Sequence, residues 1–225
     1  MTLPGTITNI ELQRKRRSRV NIYIDNRFAF SLSDVVAEGA SLKNGTYLSS
    51  EQIDELLNRD QFQKALDTAL NFLSYRPRSE KEVRQNLVRK GFSESFIERV
   101  ITRLKELQFI DDAAFARFWV QNREAHSPRS HRALEFELRT KGVNQETLDE
   151  AIEETIDQET SATAAARKKL RSLRNLDYKD FRQKLGSYLA RRGYDYATIK
   201  SVVNSLWHES TNSSSDFELA DEGDL

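Results

Sequence analysis

A hexapeptide of one kind occurs three times at a fixed interval: LVRKGF at 87–92, LRTKGV at 138–143 and LARRGY at 189–194. Leu87, Leu138 and Leu189 stand 51 residues apart, as do Gly91, Gly142 and Gly193. Strict self-similarity at this interval implies tandem copies of one supersecondary unit. Within each copy the hexapeptide reads as a helix ending. The glycine supplies the left-handed residue that closes a helix without a Cβ clash. Lys90, Lys141 and Arg192 precede it at the negative end of the helix dipole. Phe92, Val143 and Tyr194 follow as the apolar residue that folds back on the last turn. Ser93, Asn144 and Asp195 then offer N-caps for a next helix.

The apolar positions repeat with the same interval. Val83, Leu134 and Leu185 precede the glycine, while Ile97, Leu148 and Ile199, then Ile101, Ile152 and Val203, follow it at helical spacing. Phe62, Ala65, Leu66, Ala69, Leu70 and Leu73 trace an earlier helix face, broken at Arg76-Pro77-Arg78. Pro77-Arg78-Ser79 returns as Pro128-Arg129-Ser130. Ser79 and Glu82 have the spacing of a capping box. In the third copy this loop is shifted, and Asp180 is the expected cap. These patterns predict three three-helix repeats, 61–110, 111–160 and 161–209. Each is small for an independent core, so packing end to end as an elongated curved array is expected.

The first 60 residues follow a different period. Val20, Ile22 and Ile24 alternate, as do Phe28, Phe30 and Leu32, with Asp25-Asn26-Arg27 between them as a turn. Strands are expected at about 6–12, 19–24 and 27–32, forming a small β-meander or hairpin. A short helix follows at 33–38, and another runs from Ser49 or Ser50 to about 59. The fold class is therefore mainly α, with an N-terminal β element. The Ser-rich, acidic stretch 210–225 is expected to be disordered.

Charge sharpens the functional reading. The net charge is zero, yet residues 160–208 carry eleven basic and three acidic side chains, and 111–159 six basic and twelve acidic. One basic cluster, Arg14, Lys15, Arg16, Arg17 and Arg19, falls on the first β-turn. A second comprises Arg167, Lys168, Lys169, Arg171 and Arg174, joined by Arg182, Lys184, Arg191 and Arg192. Such clusters can neutralise phosphates, although many are ordinary solvated faces. A helix–Gly–helix pair resembles a helix-turn-helix, but Glu94 and Glu98, and Glu146, Asp149 and Glu150, occupy the reading helices of two copies. Groove reading by all three is not expected.

Little points to catalysis. There is no cysteine, and His126, His131 and His208 lack the spacing of a metal box. Asp111-Asp112 is better placed to cap a helix than to act as a paired-carboxylate site. Phe115, Phe118 and Trp119 share a helix with Ala113, Ala116 and Val120 and read as core. Neither a catalytic residue, a metal site nor a cofactor is expected. MTLPGTITNI shows no apolar signal region, and no apolar run approaches a membrane span. A cytoplasmic protein with no membrane association and no small-molecule substrate is the expectation.

The stretches RPRSEKEVRQNLVRKGF (76–92), IERVITRLKELQFIDDAAFARFWVQNR (97–123) and ELRTKGV (137–143) resemble the RecX family of bacterial RecA regulators. The segment ITNIELQRKRRSRVNIYIDNRFAFSLS is similar to the N-terminal extension of longer members. This resemblance implies tandem three-helix repeats and a non-enzymatic protein that binds the RecA recombinase and the RecA–DNA filament. It also implies hindered filament extension and lowered strand exchange, ATP hydrolysis and co-protease activity. The competing reading from the residues is a stand-alone DNA-binding protein of tandem helical modules.

Overall fold

The structure is a computed structural model that describes residues 3–14, 18–154 and 157–218. Two compact units divide the chain, 1–110 and 111–225.

The first unit opens with β1 (Gly5–Leu12), β2 (Arg19–Ile24) and β3 (Arg27–Ser33), followed by α1 (Asp34–Gly39) and β4 (Tyr47–Leu48). All strand pairs are antiparallel and the order is β3-β2-β1-β4. Alternation sends Val20, Ile22 and Ile24 inward, against Ile7, Phe30 and Leu32. The β2–β3 turn holds Asp25 and Asn26 at φ 47° and 64°. Two left-handed central residues suit the twist of a tight hairpin, and Asp and Asn tolerate them best. The two-residue strand β4 was not legible in the sequence; its pairing with Gly5 and Thr6 is set by the Asn44-Gly45 turn region.

Where the sequence predicts a helix ending near 59 and another starting after 60, there is one helix, α2 (Ser50–Leu73). Its first half places Ile53 and Leu56 in the sheet core, and its second half places Ala65 and Ala69 in the next core. Asp60, between the two expected helices, is 1% exposed and fully engaged. Its carboxylate accepts from Arg19, Lys64 and the Ser33 N–H. A full reciprocal capping box starts this helix, between Ser49 and Gln52.

The helices α3 (Glu80–Arg89) and α4 (Glu94–Glu106) complete the first bundle around Val83, Leu87, Ile97, Val100, Ile101 and Leu104. Ser79 accepts from the Glu82 N–H, and the Glu82 carboxylate is held by Arg76. Ser93 takes the expected cap position, but its hydroxyl meets Ser95 instead of the helix N–H groups.

In the second unit, α5 (Asp112–His126), α6 (His131–Thr140) and α7 (Gln145–Glu153) surround Phe115, Val120, Leu134, Leu138 and Leu148. Asp111 caps α5, accepting from the N–H groups of Ala113 and Ala114. The helices α8 (Gln158–Leu170), α9 (Tyr178–Ala190) and α10 (Tyr196–Glu218) enclose Ala162, Ala165, Phe181, Leu185, Leu189 and Val203. Asp177, rather than Asp180, caps α9, with its carboxylate accepting from the Asp180 N–H. The helix α10 continues to Glu218, into the stretch expected to be a disordered tail; the rest of that tail lies outside the described residues.

All three glycines of the repeated hexapeptide adopt positive φ, 83°, 86° and 90°. Each ends its helix with the same pair of bonds. Phe92 N–H donates to Leu87 and Gly91 N–H to Val88, and the pattern recurs at Val143 and Gly142, and at Tyr194 and Gly193. This is the Schellman arrangement. Gly193 has a second constraint: a Cβ there would sit 2.5 Å from Ser130 Oγ.

Candidate binding surface

The third repeat is fastened to the second by buried polar contacts. Ser130 N–H donates to the Arg192 carbonyl at 3.1 Å, which brings the turn after α9 against the start of α6. The Ser161 hydroxyl meets Glu124 Oε1 at 3.0 Å and Tyr194 Oη at 2.9 Å. Ser161 and Tyr194 are both buried, and Glu124 Oε2 is buried with no bonding partner. Burial raises the Glu124 carboxyl above its ordinary value, against the opposing effects of Ser161, His131 and Lys168. Burial likewise pushes the Tyr194 phenol up to about 12.

Several of the expected phosphate contacts also make bonds within the fold. The Arg19 side chain is 14% exposed, and its guanidinium bonds Asp60 and the Ser31 carbonyl. Of its cluster, Arg14 is exposed, whereas Lys15, Arg16 and Arg17 lie outside the described residues. Arg167 pairs with Glu209 across α8 and α10 at 2.9 Å. Lys168 donates to the Ala125 carbonyl at the end of α5. Arg192 stacks on the Tyr188 ring, 3.8 Å from its centroid. What remains as accessible charge is Arg171, Arg174, Arg182, Lys184 and Arg191, with Lys169 half-buried.

The basic residues at the end of α8 also sit where the helix dipole favours cations, so position alone explains part of that cluster. On α9 the geometry adds something. Arg182 lines a groove between α9 and α10 together with Lys179 and Lys200. Sequence reasoning passed over these two lysines because neither belongs to a basic run. The recurring interval places Lys200 two repeats after the acidic Glu98, and that reversal of charge was the available signal.

Among the described residues, no group of three or more His, Asp or Glu side chains could hold a metal ion. No described helix is long and apolar enough to cross a membrane.

Four family models match consecutive parts of the chain. They are the regulatory protein RecX N-terminal domain at 5–49 and the first, second and third RecX three-helix domains at 65–104, 111–152 and 157–203. The chain belongs to the RecX family. The regulatory protein RecX of Clostridioides difficile is 33% identical over 90% of this chain and 96% of its own length. That of Bacillus subtilis is 33% identical over 90% of this chain and 78% of its own. Among solved structures, a crystal structure of regulatory protein RecX is 29% identical with a TM-score of 0.68, covering 90% of this chain and all of that one. RecX from Lactobacillus salivarius aligns at 25% identity with a TM-score of 0.56, over 66% and 97% of the two chains. RecX membership accounts for the mainly helical fold, the three tandem bundles and the N-terminal sheet. It also identifies a regulatory protein.

Proposed function

We infer that this RecX protein modulates the RecA recombinase. It binds RecA and the RecA–DNA filament, restrains filament extension, and lowers strand exchange, ATP hydrolysis and co-protease activity without catalysing a reaction itself. Family membership over nearly the whole chain is the observation that carries this reading. The charge distribution supports it. Repeat 3 presents cations to a polyanion, and the acidic second repeat suits a protein surface. A cytoplasmic site of action follows from such a partner. No cofactor enters the reading.

Titration of the protein into RecA filaments on single-stranded DNA, with ATP hydrolysis followed, tests it. Suppression should occur at doses too low to coat the DNA. The second reading, a stand-alone DNA-binding protein, is favoured by the accessible cations on α8 and α9. It requires suppression only where the DNA itself is occupied, and gel-shift assays run alongside the ATPase titration separate the two. Retention of neither RecA nor DNA would overturn both.

A further inference from the structure

The three repeats treat one surface differently. In repeat 1, Arg84 on α3 is an ion-pair hub. It bonds Glu80 on its own helix and reaches Glu94 and Glu98 on α4, and Lys105 joins through Glu80. These bonds bridge the α3–α4 face. Repeat 2 bridges the corresponding face through Arg139, which holds Gln145 and pairs with Glu135, while Gln145 also bonds Asp149.

Two intervals on from Glu80, Arg84, Glu94 and Glu98 stand Arg182, Gly186, Tyr196 and Lys200. The hub has become a glycine, one acid has become an aromatic residue, and two acids have become cations. The bridging bonds of repeats 1 and 2 have no counterpart at these positions in repeat 3, where the face forms a groove of about 550 Å³. That lies within the roughly 300–1,000 Å³ of ligand clefts. Lys179 joins the rim, Ile199 and Val203 form the floor, and Gln183, Ser187 and Asn204 add hydrogen-bonding groups. The lining contains no carboxylate. Lys179, Arg182 and Lys200 have no ion-pair partner among the described residues.

Two tyrosines mark the groove. Tyr196 opens α10 and is 69% exposed. Tyr178 opens α9, is 40% exposed, and is held by a bond from its hydroxyl to Asn204. Tyr196 and Asn204 are about 12 Å apart along the helix axis, so the rings flank a short run of cationic surface. A strip of cations with flat aromatic faces suits a single strand, whose phosphates meet the charge while its bases stack. The exposed Tyr196 ring beside three cations favours this over an acidic peptide, which would use the cations and the floor but bring no base to stack on that ring.

We propose that the α9–α10 groove of the third repeat is a binding site for single-stranded nucleic acid, with Lys179, Arg182 and Lys200 on phosphates and Tyr196 as a stacking platform. This rests on the reading of the third repeat as the polyanion-facing part, and assigns that role to residues outside the basic runs.

The test uses the full chain and a fluorescein-labelled oligothymidylate in anisotropy titrations across salt concentrations. Tyr196→Ser should weaken binding about tenfold. The double variant Lys179→Glu, Lys200→Glu should weaken it further and flatten the salt dependence by about one unit or more. Lys43→Glu, a charge reversal in the other unit, should leave binding near wild type. Both groove changes are at exposed positions, and an unchanged thermal melt confirms the fold. Amide shifts from the oligonucleotide should centre on residues 178–204. Groove variants that bind as wild type would overturn the proposal. So would shifts centred elsewhere, or groove shifts produced by an acidic leucine-containing peptide but not by the oligonucleotide. None of these readouts involves RecA. Failure of RecA suppression by the wild-type protein would count against the proposed function and leave the groove result standing.

Discussion

The Arg19 guanidinium closes over the Asp60 carboxylate from 41 residues away, one bond of 3.2 Å to each oxygen. Lys64 adds an ion pair at 2.8 Å and the Ser33 N–H a bond of 2.7 Å. Three groups, one each from β2, β3 and α2, therefore converge on one carboxylate at the junction of sheet and helix. Removing one partner of such a buried pair leaves an uncompensated charge. Asp60→Ala should cost about 3–5 kcal/mol, read as a lowered urea midpoint.

Asp60 also sets an acid limit. Burial alone would raise its carboxyl, but the bonds from Arg19, Lys64 and Ser33 outweigh that and hold it below the ordinary 3.8. A depressed folded value means the stabilisation is present above about pH 3.8 and is lost as pH falls through the folded value. Asp60→Asn should flatten that acid limb in stability measured against pH. An acid limb identical to wild type would count against the assignment.

Glu124 should act in the opposite sense. Its folded carboxyl is raised, so the ionised form is the disfavoured one in the folded protein. The penalty is present in full above the folded value and is relieved as pH falls toward 4.5. Glu124→Gln should therefore be more stable than wild type near neutral pH, with the advantage shrinking on acidification. His131, Lys168 and Tyr194 face the same group and are kept unchanged in the comparison.

The glycines of the repeated ending should separate on substitution. Gly91→Ala meets open space and carries only the left-handed penalty, about 1–2 kcal/mol. Gly193→Ala carries that penalty and drives a Cβ against Ser130 Oγ and, at 3.0 Å, Ala133 Cβ. It should cost about 1–3 kcal/mol more. Equal losses in paired thermal melts would show that the second repeat yields freely at that contact.

Charge reversal should sort the cations of the third repeat. Arg171→Glu with Arg174→Glu removes accessible charge and should weaken RecA suppression with a smaller salt dependence. Arg167→Glu places like charges beside Glu209, so part of its effect should appear as lost stability. Suppression unchanged by the first pair at moderate salt would remove these two arginines from the interface.

Local rules carried much of the fold. Period-two alternation located the three long strands within a residue or so, and the glycine endings located three helix stops. Asp111 was recognisable as a cap because its bonds are local, to Ala113 and Ala114. The misplaced features depended on distant partners. The continuity of α2 through Asp60 depends on Arg19, which the sheet brings against that carboxylate. Arg19 belongs to a basic run in the sequence, and only the fold pairs it with Asp60. Asp177 and Asp180 are equally good caps by residue type, and the path of the preceding loop decides between them. The groove was not legible for another reason: it consists of single substitutions at repeated positions, outside any basic run.

The unbroken α2 has a consequence for how the chain comes apart. Its first half closes the core beneath the sheet and its second half closes the first bundle. Neither core can lose that helix without the other feeling it. The sheet and first bundle should therefore exchange their amide protons as a single cooperative foldon.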